Sequence, residues 1–254
     1  MERPFFSIVT PVSNGGKFLE KTITSIVNQS TKDYEYIIVD NMSTDNSREI
    51  IEKYLPSINK FISEKDDGMY DALNKGFSNC SGKYFFWLNS DDYLKNDYVL
   101  ENIKKFLINN ENIKWINCQT SFKYERLNFS LTFFPYTYPR KIIKNGLAHN
   151  CGWGFIQQES TMFSKELFTK VGGFNEKYKM AGDFYLWKKF SEISKLYPLN
   201  LPLGVQRKWE GQMQKNLKFY YAELNKSKCY FPILKYFRLF FSLVYFIISK
   251  VKKF

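Results

Sequence analysis

The chain is predicted to be an α/β protein with a mostly parallel central sheet flanked by helices. Three observations predict it. Short apolar runs alternate with segments of helical period through the first half of the chain. The run Tyr36–Val39 is apolar at every position, as expected for a strand covered on both faces rather than one. Polar residues then follow the apolar runs directly, at Thr10-Pro11, Asp40 and Asn89–Asp92. Such sheets bind ligands at the carboxyl ends of their strands, so these three tips are expected to meet in one crevice.

The elements follow in order. Phe5–Thr10 is an apolar run ended by Pro11 and predicts a strand. Ser13-Asn14-Gly15-Gly16 is a loop, and Phe18, Leu19, Ile23, Ile26 and Val27 mark one face of a helix. The segment 34–39 predicts the next strand. Asn41–Ser47 is rich in helix-capping types, and Ile50, Ile51 and Tyr54 continue as a helix. Phe61-Ile62-Ser63 is a weak third strand. Met69, Leu73 and Phe77 recur every four residues and predict a helix stopped near Ser81-Gly82. Lys83–Leu88 is a strongly apolar strand ending at Asn89-Ser90-Asp91-Asp92. Val99, Ile103, Phe106 and Leu107 mark another helix, and Ile113–Cys118 another strand. Ser121–Asn150 is aromatic-rich without a clear period. Lys165–Val171 predicts a helix closed by Gly172-Gly173, and Leu186, Trp187, Phe190 and Ile193 a helix just after Asp183.

The chain has 254 residues, 44% of them hydrophobic and 24% charged, with 25 Phe, 18 Tyr and 5 Trp. Disordered chains are poor in aromatics, so a packed core is expected. One histidine, His149, nearly excludes a His-rich zinc centre, and any Ser-His-Asp scheme must run through it. The cysteines at 80, 118, 151 and 229 form no CxxC and indicate neither a zinc ribbon nor a disulfide scaffold. No secretory leader is apparent at the start, which points to the cytoplasm. Neither GxGxxG nor GxxxxGK[ST] is present, which argues against a dinucleotide cofactor and a P-loop.

The net charge is +12, and residues 207–254 alone hold eleven basic residues against two acidic. Residues 1–205 are therefore expected to form the main domain and 206–254 a basic, aromatic, amphipathic helical extension. Its stretch CYFPILKYFRLFFSLVYFIISKVKKF has an uninterrupted apolar run too short for the roughly 20 residues of a membrane span. Cations at both ends and aromatics throughout suit a helix lying on an anionic membrane surface; packing on the body or a partner subunit is the alternative. Because the charge sits beside apolar residues, nucleic acid is not an expected partner.

Adjacent carboxylates at Asp91 and Asp92, at the mouth of a buried strand, repel each other unless a cation stands there. Hard oxygen ligands suit Mg²⁺ or Mn²⁺ holding a diphosphate; a solvated, helix-capping loop is the alternative. Asp40 and Asp66 suit the hydroxyl and N–H groups of a nucleoside, or are turn residues. Lys75 is in reach of a phosphate or simply solvated.

Four ordered blocks, SIVTPVSNGGKFLEKTITSIVNQS, YEYIIVDNMSTDNS, SEKDDGMYDALNKGF and GKYFFWLNSDDYL, resemble the inverting family 2 glycosyltransferases of the GT-A fold, over roughly residues 5–200. The resemblance implies a nucleoside-diphosphate sugar donor, most often a UDP-sugar, with Mn²⁺ or Mg²⁺. It also implies a glycan or lipid-linked acceptor in surface polysaccharide synthesis, at the inner face of the cell membrane. Thr10, Pro11 and Ser13 match the loop that wraps the nucleotide, and Asp40 matches the base- and ribose-binding acid. Asp66 and Gly68 match the E-x-D-x-G block, and Asn74 and Lys75 the N-x-G segment. Asn89–Asp92 stands at the D-x-D position with Asn in place of its first acid, so metal binding rests on Asp91 and Asp92. In GGFNEKYKMAGDFYLWKKF, Asp183 matches the catalytic base, and Gly182 stands where many members carry a second acid. Gln158 and Glu159 match the acceptor side of the cleft. Trp153 suits a sugar face or the core; His149 suits a diphosphate or acceptor contact, or a plain loop. Gln206-Arg207-Lys208-Trp209 has the wrong spacing for the QxxRW motif of processive relatives. Asn89 also leaves open a nucleotide-sugar-binding assembly partner without activity.

Overall fold

The computed structural model describes residues 3–149, 154–210, 217–224 and 240. The expected extension beyond 224, apart from Phe240, lies outside the described residues, as do Trp153, Cys151 and Cys229. Cys80 and Cys118 are free and buried.

Among the described residues nine strands form one sheet: β1 (Phe6–Val12), β2 (Tyr34–Asp40), β3 (Lys60–Ser63), β4 (Tyr84–Trp87), β5 (Tyr93–Leu94), β6 (Trp115–Tyr124), β7 (Phe129–Phe133), β8 (Thr161–Ser164) and β9 (Tyr197–Lys208). Their order is β3-β2-β1-β4-β8-β6-β9-β5, with β7 paired to β6. The first four strands are parallel, as the sequence predicts. Beyond β4 the sheet becomes mixed: β8 runs antiparallel to β4 and β6, whereas β9 runs parallel to β6.

Helices α1 (Gly16–Val27), α2 (Ser47–Tyr54) and α4 (Val99–Ile108) carry buried residues into one apolar cluster, together with Phe6, Ile8, Tyr36, Ile38 and Phe86. Helices α3 (Met69–Ser78), α5 (Arg140–Lys144), α6 (Lys165–Val171) and α7 (Gly182–Ile193) contribute to a second cluster, with Val9, Ile37, Val39, Phe85 and Trp87. Alternate residues of each strand thus enter opposite layers, which explains the consecutive apolar residues Ile8-Val9, Tyr36–Val39 and Tyr84–Trp87. The second layer stacks Trp187 against Trp87 and Trp115, at centroid distances of 5.7 and 5.5 Å. Truncating such a ring costs about 3–5 kcal/mol.

Register fixes the site. Val12 pairs with Asp40 and Val9 with Trp87, so the polar segments after β1, β2 and β4 emerge at the same end of the sheet. Strand β9 crosses position 205, where the sequence places a domain limit, and continues to Lys208. Helix α8 (Leu217–Glu223) lies against Ala181 and Phe184.

Candidate active site

The β1–α1 loop is laced to the β2–α2 loop. Asn14 N–H donates to Ser43 Oγ, Gly15 N–H to Ser47 Oγ and Gly16 N–H to Asp45 Oδ2, each at 2.9 Å. Thr10 and Pro11 are buried beneath this loop and Ser13 is exposed; Thr10 Oγ1 accepts from Tyr36 Oη–H. Asp40 is buried, and its carboxylate accepts from the Ser43 amide and hydroxyl and from Ser63 Oγ–H. Asp66 Oδ1 accepts the Gly68 amide at 2.8 Å. Gly68 sits at φ +124°, a backbone conformation that favours glycine. Burial raises the Asp66 carboxyl above its ordinary value.

Asn74 and Lys75 are engaged within the protein. Asn74 Nδ2–H donates to Phe174 O and Glu176 Oε1, and its Oδ1 accepts the Phe174 amide. This ties α3 to the segment leading into α7. The Lys75 ammonium lies 3.1 Å from Glu64, 3.2 Å from Asp71 and 2.9 Å from the Lys65 carbonyl.

The Asp91-Asp92 pair divides. Asp92 is 1% exposed, and its Oδ1 accepts the Arg207 amide at 2.9 Å. Burial holds its carboxyl well above the usual carboxylate range, and the charges of Glu159 and Asp91 push the same way. Asp91 is half-buried, and its Oδ2 accepts from the Trp209 indole N–H. Glu159 is 1% exposed; its Oε1 accepts from Gln158 and Gln206 amides at 2.7 and 2.8 Å. The end of β9 and the residue beyond it therefore meet three acids, Glu159 through Gln206, Asp92 through Arg207 and Asp91 through Trp209. This is the Gln206–Trp209 segment whose spacing departs from the QxxRW motif.

Asp183 opens α7. Burial raises its carboxyl to about 7; the Glu159 charge adds to the rise, while the Phe184 amide and the Tyr70 hydroxyl oppose it. Tyr70 Oη lies 3.4 Å from Asp183 Oδ1 and 3.2 Å from Met180 O. The same ring explains Gly182: a Cβ there would stand 2.6 Å from Tyr70 Cε2, so a second acid has no room. His149 is fully buried, 6.3 Å from the Phe184 ring.

A hard cation with a diphosphate needs only one or two protein carboxylates. Among the described residues, no group of three or more His, Cys, Asp or Glu side chains stands at metal-holding geometry. Asp91 presents a carboxylate at the strand tip, and the buried Asn89 Oδ1 in the same loop has no hydrogen-bond donor among the described residues. Asp91, half-buried at the strand tip, offers its carboxylate to a Mn²⁺ or Mg²⁺ ion, with Asp92 behind it in the interior. A cavity of about 460 Å³, lined by Lys114, Glu166 and Tyr197, lies at the opposite end of the sheet.

A model of the family described as glycosyl transferase family 2 matches residues 7–172. An uncharacterised glycosyltransferase of Rickettsia prowazekii is 28% identical over 209 residues, 76% of this chain and 61% of that protein. Chondroitin synthase of Pasteurella multocida is 30% identical over 205 residues, 78% of this chain and 20% of the synthase. The chain thus spans about three fifths of the first relative and one fifth of the second. Among solved structures, S. aureus TarS in complex with UDP-GlcNAc matches with a TM-score of 0.65 at 18% identity, covering 83% of this chain and 60% of that one. Mannosyltransferase PcManGT from Pyrobaculum calidifontis, in complex with GDP-Man and Mn²⁺, matches with a TM-score of 0.63 at 17% identity, covering 90% and 66%. These two likenesses show a shared fold.

Proposed function

The chain belongs to glycosyl transferase family 2, and from that membership we propose that it moves one sugar from a nucleoside-diphosphate sugar, a UDP-sugar, to an acceptor hydroxyl with inversion at the anomeric carbon. The observation that carries the reading is Asp183, a carboxyl at the start of α7, 3.4 Å from Tyr70 Oη and within the field of Glu159, that burial holds at about 7. A general base works best when its pKa lies near the working pH.

In this reading Thr10, Pro11, Ser13, Asp40, Asp66 and Gly68 shape the donor pocket. Asn74 and Lys75 brace its far wall through Phe174, Glu176, Glu64 and Asp71. Asp91 would hold Mn²⁺ or Mg²⁺, whose chemistry there is neutralisation of charge on the departing diphosphate. Asp92 backs Asp91 from the interior. Asp183 accepts the proton of the acceptor hydroxyl as that oxygen attacks from the face opposite the diphosphate. A single displacement needs no covalent sugar–enzyme bond, and the configuration inverts.

The acceptor is a glycan or a lipid-linked sugar in surface polysaccharide synthesis. The protein works at the inner face of the cell membrane, held peripherally by its basic aromatic extension. A second reading, a donor-binding assembly partner without activity, draws on Asn89 at the first D-x-D position. A ligand that binds only the folded chain raises its apparent stability. A panel of nucleotide sugars is therefore screened by thermal shift with and without Mn²⁺, and hits are assayed for transfer. Stabilisation with transfer supports the enzyme; stabilisation without transfer or donor hydrolysis supports the partner. No stabilisation by any nucleotide sugar overturns both.

A further inference from the structure

Helix α8 belongs to the extension that the sequence sets apart from the main domain, yet it reaches back to the start of α7. The Glu223 carboxylate accepts three successive amides: Lys179 N–H on Oε1 at 2.6 Å, and Met180 and Ala181 N–H on Oε2 at 3.0 and 2.8 Å. Ala181 is the N-cap of α7 and offers no side-chain acceptor. The first amides of a helix lack intrahelical partners, and a carboxylate suits the positive end of the helix dipole. Glu223 therefore anchors, from a distant element, the turn that leads into α7, and Asp183 lies two residues beyond the last amide it holds.

Further contacts fix α8 there. Tyr185 Oη–H donates to the Glu223 carbonyl at 3.1 Å, and Tyr220, Tyr221 and Leu224 pack around Ala181 and Phe184. On its other side the 179–181 turn is held from α3 and the loop before it, by Tyr70 Oη–H on Met180 O and by Lys179 Nζ on Asp67 O. Gly182 contributes no side chain. The orientation of Asp183 thus depends on a turn gripped between Tyr70 and Glu223.

We propose that Glu223 is a positioning residue for sugar transfer: by clamping the 179–181 turn it aims Asp183 at the acceptor hydroxyl. The inference rests on the reading of Asp183 as the base. It makes α8 part of the catalytic unit rather than of a membrane attachment.

The test uses the full chain, with Glu223→Ala, Glu223→Gln, Asp183→Asn and each Glu223 variant combined with Asp183→Asn. Turnover and donor KM are measured with UDP affinity by calorimetry. Misplacing a reacting group by about 1 Å costs up to about a hundredfold. Glu223→Ala is expected to lower kcat between about tenfold and a hundredfold, with donor KM and UDP affinity unchanged. Glu223→Gln keeps one acceptor oxygen and recovers part of the loss. In the Asp183→Asn background neither substitution slows transfer further, because residues acting as one unit are not additive. Wild-type kcat in Glu223→Ala, an equal loss in both backgrounds, or a parallel loss of UDP affinity overturns the proposal. Should Glu223→Ala fail to fold, Glu223→Gln decides by the same comparison of backgrounds. Wild-type turnover in Asp183→Asn would instead remove the base itself, a result distinct from any Glu223 outcome.

Discussion

The indole N–H of Trp209 donates to Asp91 Oδ2 at 2.8 Å, joining residues 118 positions apart. The Trp209 ring is itself fixed, 5.3 Å from the Phe18 ring and 5.1 Å from the Lys17 ammonium. Asp91 is thereby held in one orientation at the strand tip. Partners behind a metal-binding carboxylate typically change metal affinity or activity by about 10–100-fold when removed. Trp209→Phe keeps the ring contacts and loses the N–H. It is expected to raise the Mn²⁺ concentration for half-maximal transfer by about tenfold; a Mn²⁺ titration of turnover that matches wild type would remove Asp91 from the metal site.

Gly204 tests the seating of Glu159. A Cβ at position 204 would lie 2.4 Å from the Glu159 backbone carbonyl, which cannot swing aside as a side chain does. Overpacking of this kind costs about 1–3 kcal/mol. Gly204→Ala is expected to lower the urea midpoint accordingly, and unchanged unfolding would show that β9 and the segment around Glu159 are not in register as described.

The raised Asp183 carboxyl has a stability signature. In the unfolded chain it titrates near the ordinary Asp value, about 4; in the fold it titrates at about 7. The fold therefore binds this proton more tightly than the unfolded chain does. Its stabilising contribution is full below about pH 4 and is lost as pH rises through about 7. Asp183→Asn removes that loss, so the variant's melting temperature relative to wild type is expected to be higher at pH 8 than at pH 4. A difference independent of pH would contradict the shift.

Removing residues 225–254 while keeping α8 separates attachment from catalysis. Loss of co-sedimentation with anionic vesicles is expected, with kcat on a soluble acceptor unchanged. An unaltered vesicle-bound fraction would exclude the extension as the membrane anchor.

The strands β1, β2 and β4 are legible in the sequence because burial on both faces gives each a run of consecutive apolar residues, Ile8-Val9, Tyr36–Val39 and Tyr84–Trp87. Later strands hide for separate reasons. Strand β5 has two residues, and β9 carries Pro198 and Pro202, opposite Asn117 and Gln119, where the pairing with β6 shifts register. Proline lacks the N–H a regular strand needs and sits at such irregularities, so the segment does not read as a twelve-residue strand. Asp183 is found from its sequence block alone. Its neighbour Glu159 stands in a block the sequence also singles out, whereas Tyr70 and Glu223 come from remote segments that no local pattern announces. Asp92 illustrates the reverse: adjacent to Asp91 in sequence, it points into the protein, because the residues after β4 turn to meet β9.

The pH dependence of transfer, measured for wild type and Asp183→Asn with UDP affinity determined alongside, tests the central claim most directly. Wild-type kcat/KM is expected to rise with pH and level off above about 7, where Asp183 has lost its proton. Asp183→Asn is expected to lose at least about a hundredfold in kcat together with that limb, while binding UDP as before. Transfer by Asp183→Asn at the wild-type rate, with the same pH limb, would contradict the assignment of Asp183 as the group that deprotonates the acceptor.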